Sequence, residues 1–167
     1  MPMTVSNPRD LFVMLLGEIL YVERRLAGGV LQSLIDSVND EALKSNLRKH
    51  LEETHRHVER AEMIFRQIDV APSAHFSAAF EAAVKQHDDA APTIRDVVLR
   101  DCFHGQAALH TEHWEIAAYT SALLAAKDAG LDDEGTALMR ETLRDEQAER
   151  DRIEPFLGDL ISTRDGS

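Results

Sequence analysis

The sequence predicts an all-α protein whose single domain, residues 1–167, is a four-helix bundle with up-down-down-up order. Prolines occur only at positions 2, 8, 72, 92 and 155, and the stretches between them are rich in the strong helix formers Ala, Leu, Glu and Arg. Apolar residues in these stretches recur every three or four positions, and no segment shows the alternation typical of a strand. We expect the core of the domain over about residues 8–161.

The first hairpin is predicted from one helix over residues 8–37 and a second over residues 41–70. Asn7 is a typical N-cap and Pro8 suits the first helical position. An Asn39-Asp40 cap precedes the second helix. The apolar stripe of the first helix contains Phe12, Leu16, Ile19, Leu26 and Val30.

The second hairpin is predicted from helices over residues 93–129 and about 133–161. Gly130 ends the third helix as a typical C-terminal glycine, and Asp132 or Asp133 caps the fourth. The tail TRDGS is expected to fray.

Residues 71–92 are predicted to form the crossover between the hairpins, with a short amphipathic helix around residues 76–84. A crossover of roughly 20 residues suits an up-down-down-up bundle, because the middle connection must travel the length of the bundle. The alternative is a plain up-and-down bundle whose third element is a stub.

The charge excludes several partners. The chain carries 30 acidic and 18 basic residues, a net charge of -12, whereas a nucleic-acid binder shows a basic stripe. The same excess of acid disfavours an anionic membrane surface, and the apolar patch Leu11–Leu16 is too short to span a bilayer. Cys102 is the only cysteine, which fits a protein of the reducing cytoplasm.

The stretch HLEETHRH at residues 50–57 contains three histidines and two glutamates. Extending the apolar period of the second helix places His50, Glu53 and His57 on its inner face. Glu52 and His55 have the spacing of a Glu-x-x-His metal motif, but their phase points toward water. We therefore expect the inner set to be the functional one.

Each of the other long helices also carries acid on its apolar side. In an antiparallel hairpin, residues equally far from the turn lie at equal height. Each inner carboxylate lies about 15 residues from its turn, roughly 22 Å along the helix. The pairs that match in height are Glu23 with Glu53 in the first hairpin, and Glu115 with Glu146 and Glu112 with Glu149 in the second.

Four helices thus bring carboxylates to one level at the middle of the bundle. A cluster of buried like charges costs several kcal/mol unless protons, basic side chains or cations compensate it. The inner stripes hold few Arg or Lys residues at this level, although Arg60 is close. Two metal ions are therefore predicted. Carboxylate with imidazole suits iron or manganese, and zinc less specifically.

Three stretches carry a resemblance to a known family: HLEETHRHVERAE at 50–62, EHWEIAAY at 112–119 and ETLRDEQAERD at 141–151. They resemble the YciE/YciF family of bacterial stress proteins, over roughly residues 10–160. The resemblance implies a ferritin-like bundle, often a homodimer, with a di-iron-type centre and no settled activity. Carried onto matching positions, it implies a metal set of Glu23, His50, Glu53, Glu112, Glu115 and Glu146.

The chain departs from that family at three positions. His57 stands where members commonly have Gln, and Leu20 where they have Tyr. The second acid of the last helix usually falls at the place of Arg150, whereas the candidate here is Glu149. We expect His50 to orient a ligand more than to bind the metal itself. Tyr119 is expected in the core, with a hydrogen bond to a metal-bound carboxylate as the alternative.

Two functions follow. The first is a two-metal protein that acts on oxygen or peroxide, or handles iron under stress, and an oxidoreductase or peroxidase-like activity would need an external electron donor. The second is a non-catalytic helical dimerisation or interaction module with no metal or one structural metal. In the first, Glu23 and Glu146 are terminal ligands, Glu53 and Glu115 bridge, His57 completes one metal, and Glu112 and Glu149 shift with oxidation state.

Overall fold

The computed structural model describes residues 4–162, and the regular secondary structure in that range is all helical, without a strand. The predicted fraying of the tail TRDGS lies outside the described residues. A π-helical turn, Leu26–Val30, follows the first helix, and a 3-10 turn, Ala91–Thr93, follows the fourth. The α-helices are α1 (Pro8–Arg25), α2 (Leu31–Ser37), α3 (Glu41–Gln67), α4 (Ala78–Ala90), α5 (Val97–Ala129) and α6 (Asp133–Ser162).

The four long helices pack in a ring. Helix α1 lies against α3 and α5, and α6 lies against the same two helices. The core divides into two apolar clusters along the bundle. One contains Phe12, Phe65 and Met139, and the other contains Leu43 and Ile153. On α3, α5 and α6 the acidic residues of interest fall between the stretches that feed these two clusters, so the bundle has a polar layer at mid-height.

The first predicted helix, residues 8–37, is wrong in one respect: it is interrupted at Leu26–Val30. Gly28 and Gly29 lie inside this wide turn, and Gly29 has φ of +145°. A pair of glycines weakens a helix, and a π-helical turn accommodates the extra residue without ending it. The chain then continues as α2, whose Leu31, Leu34 and Ile35 are buried with Leu26.

The caps of the two hairpins follow the sequence signals. Asp40 caps α3 by accepting hydrogen bonds from the backbone of Ala42 and Leu43. Gly130 ends α5 in the left-handed region, with φ of +82°, where a side chain would be strained. Asp132 Oδ1 accepts a 2.7 Å hydrogen bond from the backbone of Gly135 and opens α6. Helix α3 ends at Gln67, a little before the predicted residue 70.

The crossover is more helical than predicted. Helix α4 continues through the His87-Asp88-Asp89 stretch to Ala90 instead of ending near residue 84, and Lys85 supports this extension through a 2.6 Å contact with Asp89. Pro92 lies in the 3-10 turn that ends it. Helix α5 begins at Val97, not at residue 93, because Asp96 is its N-cap.

Hydrogen bonds tie the crossover to one side of α1. The backbone N–H of His75 donates to the carbonyl of Gly17 at 2.8 Å, and Ser77 Oγ donates to Glu18 at 3.0 Å. Further along, Glu81 of α4 accepts from Tyr21 at 2.8 Å and from Arg25 at 2.5 Å. The crossover is therefore attached along the stretch of α1 that approaches the polar layer.

Among residues 4–162, no helix combines the length and the apolar character that crossing a membrane requires.

Candidate metal centre

The two faces of the HLEETHRH stretch are oriented as predicted. His50, Glu53 and His57 are buried, whereas Glu52 and His55 are exposed. The Glu-x-x-His spacing of the exposed pair thus coincides with a metal motif without pointing into the bundle. Helical phase, and not motif spacing, identifies the inner residues of α3.

The first group of possible ligands joins three helices. One ligand atom each from His50, Glu112, Glu115 and Glu146 lies within 4.8 Å of the others. His50 Nε2 is 3.2 Å from Glu112 Oε1. All six carboxylate oxygens of the three glutamates are buried and lack a hydrogen-bond partner among the described residues.

The second group brings α1 into the centre. One ligand atom each from Glu23, His57 and Glu146 lies within 4.8 Å of the other two. His57 Nδ1 is 2.8 Å from Glu146 Oε1 and 3.5 Å from Glu23 Oε2. Glu146 belongs to both groups, so the two sets of ligands meet at one carboxylate of α6.

Tyr119 supports the second group from α5. Its hydroxyl donates a 2.7 Å hydrogen bond to Glu23 Oε1, and its side chain is almost fully buried. Burial, reinforced by the charge of Glu23, raises the pKa of the Tyr119 hydroxyl well above 10. Tyr119 therefore stays protonated and orients a candidate ligand, which was the alternative considered for it from the sequence.

The carboxyl groups of the centre are held in an environment that disfavours their charge. Burial raises the pKa of Glu112 and of Glu115 well above 4.5, and the charge of Glu146 acts in the same direction on both. Burial also raises the pKa of Glu23, against the lowering effect of His57. Without cations, Glu112 and Glu115 therefore keep their protons to higher pH than a solvated glutamate does.

His57 supplies positive charge to the centre. Burial alone would lower the pKa of the imidazole, but the charge of Glu23 and the contacts with Asp145 and Glu146 raise it to about 12. A ring nitrogen that binds a metal must be free of its proton. Metal binding at His57 therefore exchanges a proton for a cation.

The sequence prediction missed Asp145, which contacts the outer nitrogen of His57. Asp145 Oδ2 is 3.3 Å from His57 Nε2 and accepts a 2.7 Å hydrogen bond from Arg60. The contact with His57 lowers the pKa of Asp145 to about 2, despite partial burial, and Arg60 contributes. A carboxylate on the second nitrogen is the usual partner of a metal-binding histidine. Its sequence signal was its position directly before Glu146, beside the inner face.

Glu53 and Glu149 are buried as predicted, but the structure brings neither into the two groups. Arg152 lies between them: its Nε donates to Glu149 Oε2 at 2.7 Å and its Nη2 to Glu53 Oε2 at 3.1 Å. Lys49 Nζ adds a 3.5 Å contact to Glu53 Oε1. Few basic side chains were expected at this level from the sequence, and Arg152, which follows Glu149 by three residues on α6, was missed.

The expected roles within the centre change accordingly. Glu53 was expected to bridge two metals with Glu115, yet only Glu115 lies in a group, and the carboxylate common to both groups is that of Glu146. His50 was expected to orient a ligand, whereas its ring lies in the first group beside Glu112. The Glu53 carboxylate instead contacts Arg152 and Lys49.

The donor set fits a pair of cations. Each group combines carboxylate oxygens with one imidazole, the combination that suits iron, manganese or zinc. Buried polar atoms are normally hydrogen-bonded, and here the unpartnered oxygens of Glu112, Glu115 and Glu146 belong to groups whose ligand atoms lie within 4.8 Å of one another. Glu23, His50, His57, Glu112, Glu115 and Glu146 are the residues that would hold the ions.

The comparisons with known proteins agree with the fold. Protein YciF of Escherichia coli (strain K12) is 26% identical over 147 residues, which cover 87% of this chain and 87% of that protein. The crystal structure of the E. coli stress protein YciF matches with a TM-score of 0.87 at 24% identity, over 95% of this chain and 99% of that one. YcfI from Rhodopseudomonas palustris matches with a TM-score of 0.86 at 26% identity, over 92% and 96%.

A family model described as a domain of unknown function, DUF892, matches residues 7–164. The match covers nearly the whole chain, including all six residues of the two groups. The resemblance to the YciE/YciF proteins is thereby confirmed, and the chain belongs to the DUF892 family.

Proposed function

We propose that this chain is a ferritin-like, metal-binding stress protein that holds two ions, most naturally iron, in the polar layer of its bundle. The observation that carries the proposal is the pair of groups that share Glu146. Among the buried carboxylate oxygens of the two groups, Glu23 Oε1 accepts from Tyr119, and the others have no hydrogen-bond partner in the described part of the chain. Bound cations can satisfy these oxygens together. Protons do this less well, because the imidazoles and carboxylates of the two groups compete for the same protons.

The proposal also takes up the finer features expected from the sequence. The ring in which α1 and α6 each contact α3 and α5 supports an up-down-down-up bundle, since each hairpin packs side by side with the other. The family relationship supports a homodimer, and the single cysteine supports the cytoplasm.

Each residue has a task that does not depend on the identity of the ion. Glu146 places one carboxylate between the two groups, and Asp145 orients the ring of His57 through its outer nitrogen. Tyr119 holds Glu23 by donating a hydrogen bond to its Oε1. A pair of iron ions supplies two electrons to oxygen or peroxide when bound. An external donor would return them, because the chain has only one cysteine and no Cys-x-x-Cys redox site.

A small cavity lies beside the candidate metal centre. It has a volume of about 10 Å³ and lies between α1 and α5, lined by residues that include Glu18, Trp114, Glu115 and Tyr119. A space of this size accommodates about one water molecule. The cavity is therefore too small for an organic substrate.

Metal analysis tests the proposal. The chain is treated with chelator, loaded anaerobically with Fe(II), separated from free ion and analysed for iron per chain, with Mn(II) and Zn(II) in parallel. We expect two ions per chain. A Glu112→Gln, Glu115→Gln double variant should hold about one, because it removes two ligands of the first group and none of the second. The matched control is Glu52→Gln with His55→Gln, which changes the exposed pair on α3 and should bind as the unchanged protein does. Less than one ion in the unchanged protein would refute the two-metal centre.

A metal-free interaction module is the second candidate, and one observation favours it. Protonation of Glu112 and Glu115, together with the charged His57 and Arg152, already compensates much of the acid in the centre. In that case, metal content stays near zero in every variant. The Glu112, Glu115 double variant would then gain stability, because its neutral amides remove two buried acids.

A further inference from the structure

Arg152 stands between two buried carboxylates that the sequence assigned to the metal centre. Its guanidinium donates to Glu149 of its own helix through Nε and Nη2, and to Glu53 of α3 through Nη2. Glu149 is fully buried and Glu53 is 8% exposed, whereas the Arg152 side chain is 29% exposed. The arginine thus reaches inward from the rim and carries the counter-charge for both acids.

Glu149 is only partly satisfied by this contact. Its Oε2 accepts from Arg152, while its Oε1 is buried and has no hydrogen-bond partner in residues 4–162. Glu149 is also close enough to Glu112 for its charge to act on that residue. The free oxygen therefore belongs to the same polar layer as the first group, although the carboxylate as a whole is held by the arginine.

We propose that Arg152 is a positioning residue that competes with a metal ion for Glu53 and Glu149. It thereby weakens cation binding at the first group, which contains His50. This inference rests on the proposed function, because it concerns the same centre. Arginine suits the task, since its rigid fork can hold two carboxylates at once, which a lysine ammonium cannot do in the same geometry.

The competition follows from charge. A fixed positive group beside a cation site repels the incoming ion, and each carboxylate that the arginine holds is one ligand fewer for that ion. The ion must displace Arg152 toward solvent to recruit Glu53 or Glu149. The partial exposure of the side chain leaves a path for this movement. Two binding modes therefore follow from the proposal. In the weaker mode, the four residues of the first group bind the cation alone; in the tighter mode, Glu53 and Glu149 are released from Arg152 and bind it as well.

The test measures Mn(II) binding by calorimetry to chelator-treated protein. We expect Arg152→Gln to bind Mn(II) at least about tenfold more tightly than the unchanged protein, the lower end of the effects that residues around metal ligands exert. Arg152→Lys, which keeps the charge and the fold but not the fork, should give a smaller rise. The control Arg150→Gln makes the same charge change two residues away, where the arginine pairs with Asp151, and should leave the affinity unchanged.

The outcomes separate this inference from the proposed function. Equal or weaker binding by both Arg152 variants, while the unchanged protein binds Mn(II), overturns the role of Arg152 and leaves the centre standing. An equal rise in Arg150→Gln overturns it too, since general charge then explains the effect. If Arg152→Gln does not fold, Arg152→Lys decides alone. If the unchanged protein and all three variants bind no ion, both proposals fail, whereas binding by Arg152→Gln alone supports the competition directly.

Discussion

Lowering the pH should stabilise the metal-free protein between pH 6 and pH 5, the opposite of ordinary acid denaturation. Glu112 and Glu115 have pKa values raised well above 4.5 by burial. In this window, the raised pKa values favour the protonated form of both groups in the folded state, whereas the unfolded chain, whose glutamates have a pKa near 4.5, loses most of these protons. A group whose pKa is raised on folding contributes stability that is fully present below its unfolded pKa and is lost as the pH rises.

One histidine opposes this effect. Burial, aided by the charge of His87, lowers the pKa of His104 below 6.5, so the unfolded chain holds the His104 proton more tightly than the folded chain does. His57, with a pKa of about 12 when folded, is largely protonated in both states at these pH values and nearly cancels. Two carboxyl groups with raised pKa values against one imidazole with a lowered pKa leave an excess on the order of one proton in the folded state. Glu23, whose pKa is also raised by burial, adds to it.

One excess proton changes the unfolding equilibrium tenfold per pH unit, roughly 1.4 kcal/mol. We therefore expect the free energy of unfolding in chelator to fall by at least about that amount from pH 5 to pH 6. Urea titrations followed by circular dichroism at both pH values measure it. Glu115→Gln removes one of the protons and should flatten the dependence, as should saturation with Mn(II), which keeps the carboxylates ionised. A free energy that is constant or higher at pH 6 in the unchanged, metal-free protein would refute the reasoning.

Three further predictions concern single features. Loading with Mn(II) in weak buffer at pH 7 should release at least about one proton per chain, because His57 must lose its proton to bind; a pH indicator that records no release would contradict this. Tyr119→Phe should weaken Mn(II) binding about 10–100-fold in calorimetry by freeing Glu23, with unchanged binding as the contrary result. Gly17→Ala places a Cβ 2.4 Å from the His75 ring and should lower the urea-derived free energy of unfolding by about 1–3 kcal/mol; a neutral effect would show that the crossover shifts freely.

The inner face of each helix could be predicted because helical phase is a local property. His57, for instance, follows from the spacing of the apolar residues around it, and its burial depends on that phase alone. Equal heights of Glu115 and Glu146 follow in the same way from the position of the Gly130 turn. Helical phase and height along the bundle follow from helix geometry and the position of the turn. Together they suffice to predict that most of the candidate ligands lie close to one another.

The partners of long side chains could not be predicted in the same way. Arg152 lies at the edge of its helix, and its reach across to Glu53 depends on rotamers and on the spacing of α3 and α6, which no periodicity contains. The π-helical turn at Leu26–Val30 was missed because the apolar pattern on either side continues with nearly the same period. Side-chain choice and local irregularity thus account for the main differences between the expected and the observed centre.

The attachment of the crossover to α1 affects how the protein responds when metal ions leave the centre. The backbone of His75 donates to Gly17, and Glu81 accepts from Tyr21 and Arg25. These hydrogen bonds hold the part of α1 that contains Glu23. The backbone that presents this ligand is therefore fastened by the polypeptide itself. We therefore expect the metal centre to keep its geometry when its ions are removed and bound again, while the surrounding helices stay in place.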